Sequence, residues 1–126
     1  MDDRELYEKA AEAVSRAYAP YSGFHVGAAA LTESGEVYQG ANMENSSYGA
    51  SICAERVAMT KALYEGHRSF KAIAVASDGK ETAWPCGICR QFIFEFGGDI
   101  KVIAGTGPDS LEACTVSELL AHGFRL

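Results

Sequence analysis

Between Asp3 and Ala17 the apolar residues Leu6, Ala10, Val14 and Ala17 recur every three or four positions, the spacing of one helix face. Ala19-Pro20-Tyr21-Ser22-Gly23 ends that pattern, since proline breaks helical hydrogen bonding and glycine permits a turn. Phe24 to Leu31 and Glu36 to Ala41 read as two strands of a hairpin, joined through Thr32-Glu33-Ser34-Gly35. Asn42 to Ser51 is polar and aperiodic, a loop long enough to carry ligand contacts. Helical spacing returns over Cys53 to Glu65 through Val57, Ala58, Ala62 and Leu63, with Gly66 as the stop.

Lys71 to Ser77 is a short apolar run that suits a buried strand. After a loop over Asp78 to Pro85, Cys86 to Phe96 forms a helix closed by Gly97-Gly98, with Cys89, Phe92, Ile93 and Phe96 on one side. Ile100 to Ala104 and Ser110 to Cys114 are the last strands, and Thr115 to Glu118 has capping-box spacing for a short final helix. The order α-β-β-α-β-α-β-β-α predicts a three-layer α/β/α fold around a mixed five-stranded sheet, because a buried sheet needs helices on both faces. Strands one and two pair as the hairpin. Strands three and four, joined by a helix, are expected to be parallel; the short link from four to five requires an antiparallel pair.

With 126 residues the chain fits a single domain spanning 1–126. A 48% hydrophobic and 22% charged composition excludes intrinsic disorder. Seventeen acidic against eleven basic side chains give a net charge of −6, which argues against nucleic-acid partners. The longest uncharged stretch, Ala17 to Thr32, is interrupted by Pro20, Ser22 and Gly23, so no membrane partner is expected either. The acidic start Met1-Asp2-Asp3-Arg4-Glu5 differs from a secretory leader, and the expectation is a cytoplasmic protein. In that compartment the four cysteines stay reduced, and their uneven spacing points to metal or redox chemistry.

Cys53-Ala54-Glu55 and Pro85-Cys86-Gly87-Ile88-Cys89 each open a predicted helix. A helix N-terminus lowers a thiol's pKa and favours the thiolate that a metal requires. Cys86 and Cys89, joined by Cys53 from another element, can supply three corners of a zinc tetrahedron, one Zn²⁺ per chain. The fourth position then serves water, whose pKa such a zinc lowers to about 7. Glu55, in the first turn beside Cys53, is the candidate proton shuttle; burial beside a net negative site raises a carboxyl's pKa and suits that task. Zn²⁺ with three thiolates sums to −1, and hydroxide would make it −2. Donors to the sulfurs must therefore withdraw charge, and Arg56 and Arg90 lie at same-face intervals from Cys53 and Cys86, with the expectation that one or both hydrogen-bond to thiolates.

At these residues the sequence resembles the zinc-dependent cytidine deaminases, in particular the small kind that acts on free nucleosides. The likeness runs through Tyr18-Ala19-Pro20-Tyr21-Ser22, Phe24-His25-Val26-Gly27-Ala28-Ala29, Asn42-Met43-Glu44-Asn45, Cys53-Ala54-Glu55-Arg56 and Pro85-Cys86-Gly87-Ile88-Cys89-Arg90-Gln91. Trp84 and the short tail Arg125-Leu126 are less typical. The resemblance implies a cytidine deaminase-like α/β/α fold and hydrolysis of cytidine and 2′-deoxycytidine to uridine and 2′-deoxyuridine with release of ammonia, a step of pyrimidine salvage. It implies that Phe24 packs on the base, that Asn42 and Glu44 hold the ribose 3′-hydroxyl, and that Ala54 also contacts substrate. It further implies a homotetramer with shared active sites, to which Tyr48 and Phe124 contribute. Glu44 would repel a phosphate, which favours nucleosides over nucleotides.

Other readings of the same residues stand beside these. Cys114 would complete a structural Cys₄ zinc site in a non-catalytic interaction module. Cys86-x-x-Cys89 alone also suits a thioredoxin-like redox pair. His25, His67 and His122 are potential ligands, though lone histidines are more often surface or satisfied core residues. Arg56 and Arg90 also fit surface ion pairs, Phe24 a core position, Asn42 and Glu44 a turn, and Tyr48 and Phe124 simple packing at a subunit contact. A deaminase of the same fold acting on a cytosine-containing antibiotic is the nearest alternative activity; Asn42-Met43-Glu44-Asn45, as a ribose clamp, favours plain nucleosides.

Overall fold

A computed structural model describes all 126 residues. Helix α1 (Asp3–Ala13) begins at a full capping box in which Asp2 and Glu5 satisfy each other's backbone amides. It is followed by β1 (Val26–Thr32), β2 (Val37–Ala41), α2 (Ala54–Tyr64), β3 (Phe70–Ser77), α3 (Gly87–Phe94), β4 (Lys101–Gly105), β5 (Leu111–Thr115) and α4 (Val116–Leu119). The five strands form one sheet in the order β2-β1-β3-β4-β5. As predicted, β1 and β2 pair antiparallel, β3 and β4 parallel, and β4 and β5 antiparallel. The sheet is completed by an antiparallel β1–β3 pair running from Val26↔Ser77 to Thr32↔Phe70.

Side chains alternate across the strands and so divide the core into two layers. Ala29 and Leu31 of β1, Ala72, Ala74 and Ala76 of β3 and Ile103 of β4 meet Leu6, Tyr7 and Ala10 of α1 on one face. Ala28, Ala30, Ile73 and Val102 face the other way, onto Ala58 and Met59 of α2, Ile93 of α3 and Val116 of α4. The many alanines let the helices lie close to the sheet. Two glycines take this to its limit: a Cβ at Gly27 would lie 2.1 Å from the Ala10 carbonyl oxygen, and one at Gly40 would lie 2.4 Å from the Ala58 amide nitrogen.

The main departures from the sequence-based expectation lie at the ends of elements and in the loop after β2, and α3 ends at Phe94 rather than Phe96. The first helix is α-helical only to Ala13 and tightens into a 3₁₀ turn over Val14–Arg16. Tyr18 beyond it is drawn into a bridge with the 42–44 segment, donating to the Asn42 carbonyl and accepting from Glu44 N–H. Phe24 and His25 fall outside β1, because their amides donate to the side chains of Ser22 and Asp78. The loop after β2 is partly ordered by backbone bonds between Met43 and Ile52 and by a 3₁₀ turn at Tyr48–Ala50.

Candidate metal centre and substrate cleft

Cys53 and Cys86 are the N-cap residues of α2 and α3, both extended, and neither side chain caps its own helix. Their sulfurs are thereby free to face each other across 3.7 Å. Cys89, one turn into α3, is fully buried and brings the third sulfur, so that all three Sγ atoms lie within 4.8 Å of one another. Two sulfurs bound to one zinc at about 2.3 Å and a tetrahedral angle lie ~3.8 Å apart, so the Cys53–Cys86 spacing fits that ion. The donor set fits too: three thiol sulfurs at two positive helix ends favour zinc over hard cations.

The Cys53 thiol is pulled down to about 5, first by the hydrogen bond with Cys89 and further by Arg56 and Cys86, against the effect of burial. Cys89 moves the opposite way, because it holds the proton of that shared bond in a buried place. Glu55, the second residue of α2, is only 4% exposed. Burial pushes its carboxyl up to about 7, and the neighbouring Cys53 charge adds to the rise.

Arg56 donates from Nη2 to the Cys53 sulfur over 3.5 Å, and its buried Nε is a further donor without a partner. Arg90 makes no such contact with a sulfur. Its Nε donates to the Pro85 carbonyl at 2.7 Å and its Nη1 to the Leu119 carbonyl at 2.9 Å. The unpaired carbonyl at the end of α4 attracts the guanidinium. Arg90 thus braces the peptide just before Cys86.

Cys114 lies on β5 and is not among the grouped sulfurs, which removes the geometric basis for a Cys₄ site. His25 and His67 are engaged by Asp78 and Glu36, and His122 is likewise absent from the metal-competent group.

The residues expected to contact substrate come from loops and from the first turn of α2. Glu44 accepts from the backbone amides of Tyr21 and Ser22 at 3.0 and 3.1 Å and from the Ser22 hydroxyl, which holds its carboxyl below the usual range. Asn42 uses its carbonyl oxygen on Val26 N–H and its amide on the Phe24 carbonyl, leaving one amide hydrogen free. Phe24 is 43% exposed, which is not a core position. Ala54 is fully buried between Cys53 and Glu55, whereas Tyr48 and Phe124 project into solvent.

Tyr21, Ser22, Glu44, Asn45, Tyr48 and Ser51 line a cleft of about 420 Å³. The larger cavity of about 500 Å³ lies elsewhere, between α1, β2 and α2 around Arg16 and Lys61, and holds none of the sulfurs or Glu55. The smaller cleft also lacks the sulfurs and Glu55, but it contains the Glu44 carboxylate and Tyr48. Two contributors escaped sequence reasoning. Ser22, whose hydroxyl serves both Glu44 and Phe24 N–H, could have been found from its position two residues before Phe24, a spacing at which serine commonly bonds the backbone. Asp78, paired with His25, carried no local signal.

Residues 1–106 match the family model described as the cytidine and deoxycytidylate deaminase zinc-binding region. A cytidine deaminase of Halalkalibacterium halodurans is 48% identical over 125 residues, covering 98% of this chain and 95% of that protein. A probable cytidine deaminase of Dictyostelium discoideum is 53% identical over 108 residues, 82% of this chain and 72% of its own. Among solved structures, the cytidine deaminase of Burkholderia pseudomallei superposes with a TM-score of 0.93 at 41% identity, covering 98% of this chain and all of that one. The Mycobacterium tuberculosis cytidine deaminase gives 0.85 at 35% identity, with 100% and 99% coverage. Sequence and backbone agree over nearly the same span, and the chain belongs to the zinc-binding cytidine and deoxycytidylate deaminase family.

Proposed function

We propose that this chain hydrolyses free cytidine and 2′-deoxycytidine to uridine and 2′-deoxyuridine with release of ammonia, a step of pyrimidine salvage in the cytoplasm. The observation that carries this reading is Glu55: a carboxyl only 4% exposed, in the first turn of the helix whose N-cap, Cys53, is one of three grouped sulfurs. Cys53, Cys86 and Cys89 would hold the zinc, which supplies water activated at neutral pH when bound. Glu55 accepts a proton of the attacking water and delivers it to N3 of the base as the C4–O bond forms. It then takes the proton of the new C4 hydroxyl and passes it to the amino group, so that C4=O forms, the C4–N bond breaks and ammonia departs. A desolvated carboxyl suits both tasks, because burial raises its proton affinity toward that of the groups it serves.

Phe24 carries the base on its exposed face, and the free first-turn backbone of α2 at Ala54 borders the base edge. Glu44 and the remaining amide hydrogen of Asn42 receive the ribose 3′-hydroxyl. A carboxylate held ionised by Ser22 and Tyr21 accepts a bond from a hydroxyl and repels a phosphate, which favours nucleosides. Arg56 offsets the excess negative charge on the sulfurs, and Arg90 steadies Cys86 through the Pro85 carbonyl.

Residues 1–126 act as a single domain that assembles as a homotetramer, with Tyr48 and Phe124 closing a neighbour's site. This accords with their exposure of 83% and 64%, high for aromatic side chains. The activity is tested by the loss of cytidine absorbance and release of ammonia, with metal content measured on the same sample. Turnover with about one zinc per chain supports the reading; zinc-loaded protein that leaves cytidine intact overturns it. Sedimentation reads the assembly state.

A further inference from the structure

Phe24 has no strand partner, yet the chain around it is held from several sides. Its N–H donates to the Ser22 hydroxyl at 3.0 Å and its carbonyl accepts from Asn42 at 2.9 Å. The next residue is joined to Asp78 by three bonds. His25 N–H donates to Oδ1 at 3.0 Å, His25 Nδ1 and Oδ2 lie 2.6 Å apart, and Asp78 N–H returns to the His25 carbonyl at 3.1 Å. The regular β1–β3 ladder ends one step earlier, at Val26↔Ser77, so side-chain bonds continue the connection where the strands stop.

Gly79 follows directly. A Cβ built there would lie 2.8 Å from Cε1 and 3.7 Å from Cδ1 of the Phe24 ring, so the ring edge rests close over the Gly79 backbone. Gly79 lacks the left-handed backbone that would itself demand glycine, unlike Gly23, Gly35, Gly66 and Gly97. Space for the ring is what a side chain at 79 would remove.

We propose that Asp78 and Gly79, with His25 as the link, form a bracket that sets the position of the Phe24 ring and so tunes affinity for the base. Asp78 fixes the segment that bears the ring, and Gly79 leaves a seat for the ring's edge. Both are positioning residues and touch no reacting atom. The inference rests on the assignment of Phe24 to the base in the proposed function.

Gly79→Ala displaces the ring without straining the backbone, and Asp78→Ala releases the segment. Each is expected to raise KM for cytidine by about 3- to 10-fold while kcat stays within about two-fold, since a ring packed on the base binds ground and transition states alike. Zinc content should match the parent protein in both variants, and the melting temperature in Gly79→Ala. Asp78→Asn, which still accepts from His25 N–H, should recover most of the KM. In a Phe24→Ala background Gly79→Ala should have no further effect, because the group it pushes is gone.

Unchanged KM in both Gly79→Ala and Asp78→Ala would overturn the bracket, as would a crystal structure of Gly79→Ala with the Phe24 ring in its parental place. Gly79→Ala alone decides the matter if Asp78→Ala does not fold. The ring position is read without turnover, so a parent protein inert toward cytidine would refute the proposed activity and leave this question to crystallography.

Discussion

Arg56 lies one helical turn after Cys53 and donates its Nη2 to the sulfur of that residue over 3.5 Å. The helix that presents a thiol at its N-cap therefore also carries the cation that moderates it. Zn²⁺ and three thiolates together carry −1, and one guanidinium beside them brings the group to neutrality. Removing Arg56 as Arg56→Ala should weaken zinc retention by roughly 10- to 100-fold, the usual loss for a donor behind a metal ligand. Competition with a chromophoric chelator measures this, and an unchanged zinc affinity would reduce Arg56 to a packing role.

Glu55→Gln keeps the shape of the side chain and removes its ability to exchange a proton. Cytidine turnover should fall by at least about 10²- to 10⁴-fold, the range typical of lost general acid–base catalysis. Zinc content and fold should be retained. Near-normal turnover in this variant would assign proton transfer to another group.

The raised pKa of Glu55 has a consequence for stability once the metal is removed by chelation. The folded carboxyl, at about 7, keeps a proton between its ordinary value of 4.5 and 7, while the unfolded chain has released it. The unfolded state binds fewer protons there, so stability falls as pH rises through that window and is level above it. The difference in unfolding free energy between the parent and Glu55→Gln, taken from urea titrations, should shift by about 3 kcal/mol against the parent from pH 4.5 to pH 7. A difference that does not vary with pH would mean that the carboxyl is not desolvated.

Gly27 marks the closest approach of α1 to the sheet. A methyl group there would meet the Ala10 carbonyl oxygen at 2.1 Å and the Val14 nitrogen at 2.7 Å, both backbone atoms that can move only if the helix moves. Gly27→Ala should cost about 3 kcal/mol, the upper end of overpacking penalties. Gly107→Ala, where a Cβ meets nothing within 4 Å, should stay within about 0.5 kcal/mol of the parent. Equal unfolding midpoints for the two would contradict the close helix–sheet packing.

Three of the four strand pairings were legible along the chain because they follow from short-range rules: hydrophobic period, turn residues and connection length; the β1–β3 pair, and with it the strand order, was not. The hairpin, the parallel β3–β4 pair and the antiparallel β4–β5 pair all obey them. Thr115 and Glu118 form the capping box that their spacing predicts. The ends of elements were less legible. Phe24 carries an apolar side chain suited to β1, but competition from Ser22 and Asp78 for local amides takes it and His25 out of the strand.

Arg90 illustrates the same limit at the metal centre. Its interval from Cys86 permits a contact with the thiol, and spacing cannot reveal that the Leu119 carbonyl, 29 residues further on, offers a better partner.

Residue type and local spacing were enough to specify the existence and kind of the elements and the sulfur donors Cys53, Cys86 and Cys89, and to set Glu55 in the first turn beside Cys53, because these depend on helix and strand geometry within a few positions. Packing alone decided how far the sulfurs stand apart, that Glu55 is desolvated, and that Asp78 reaches the segment bearing Phe24. These are relations between groups as many as 53 residues apart in the chain. They arise only when the sheet brings its loops to one edge and excludes water from between them.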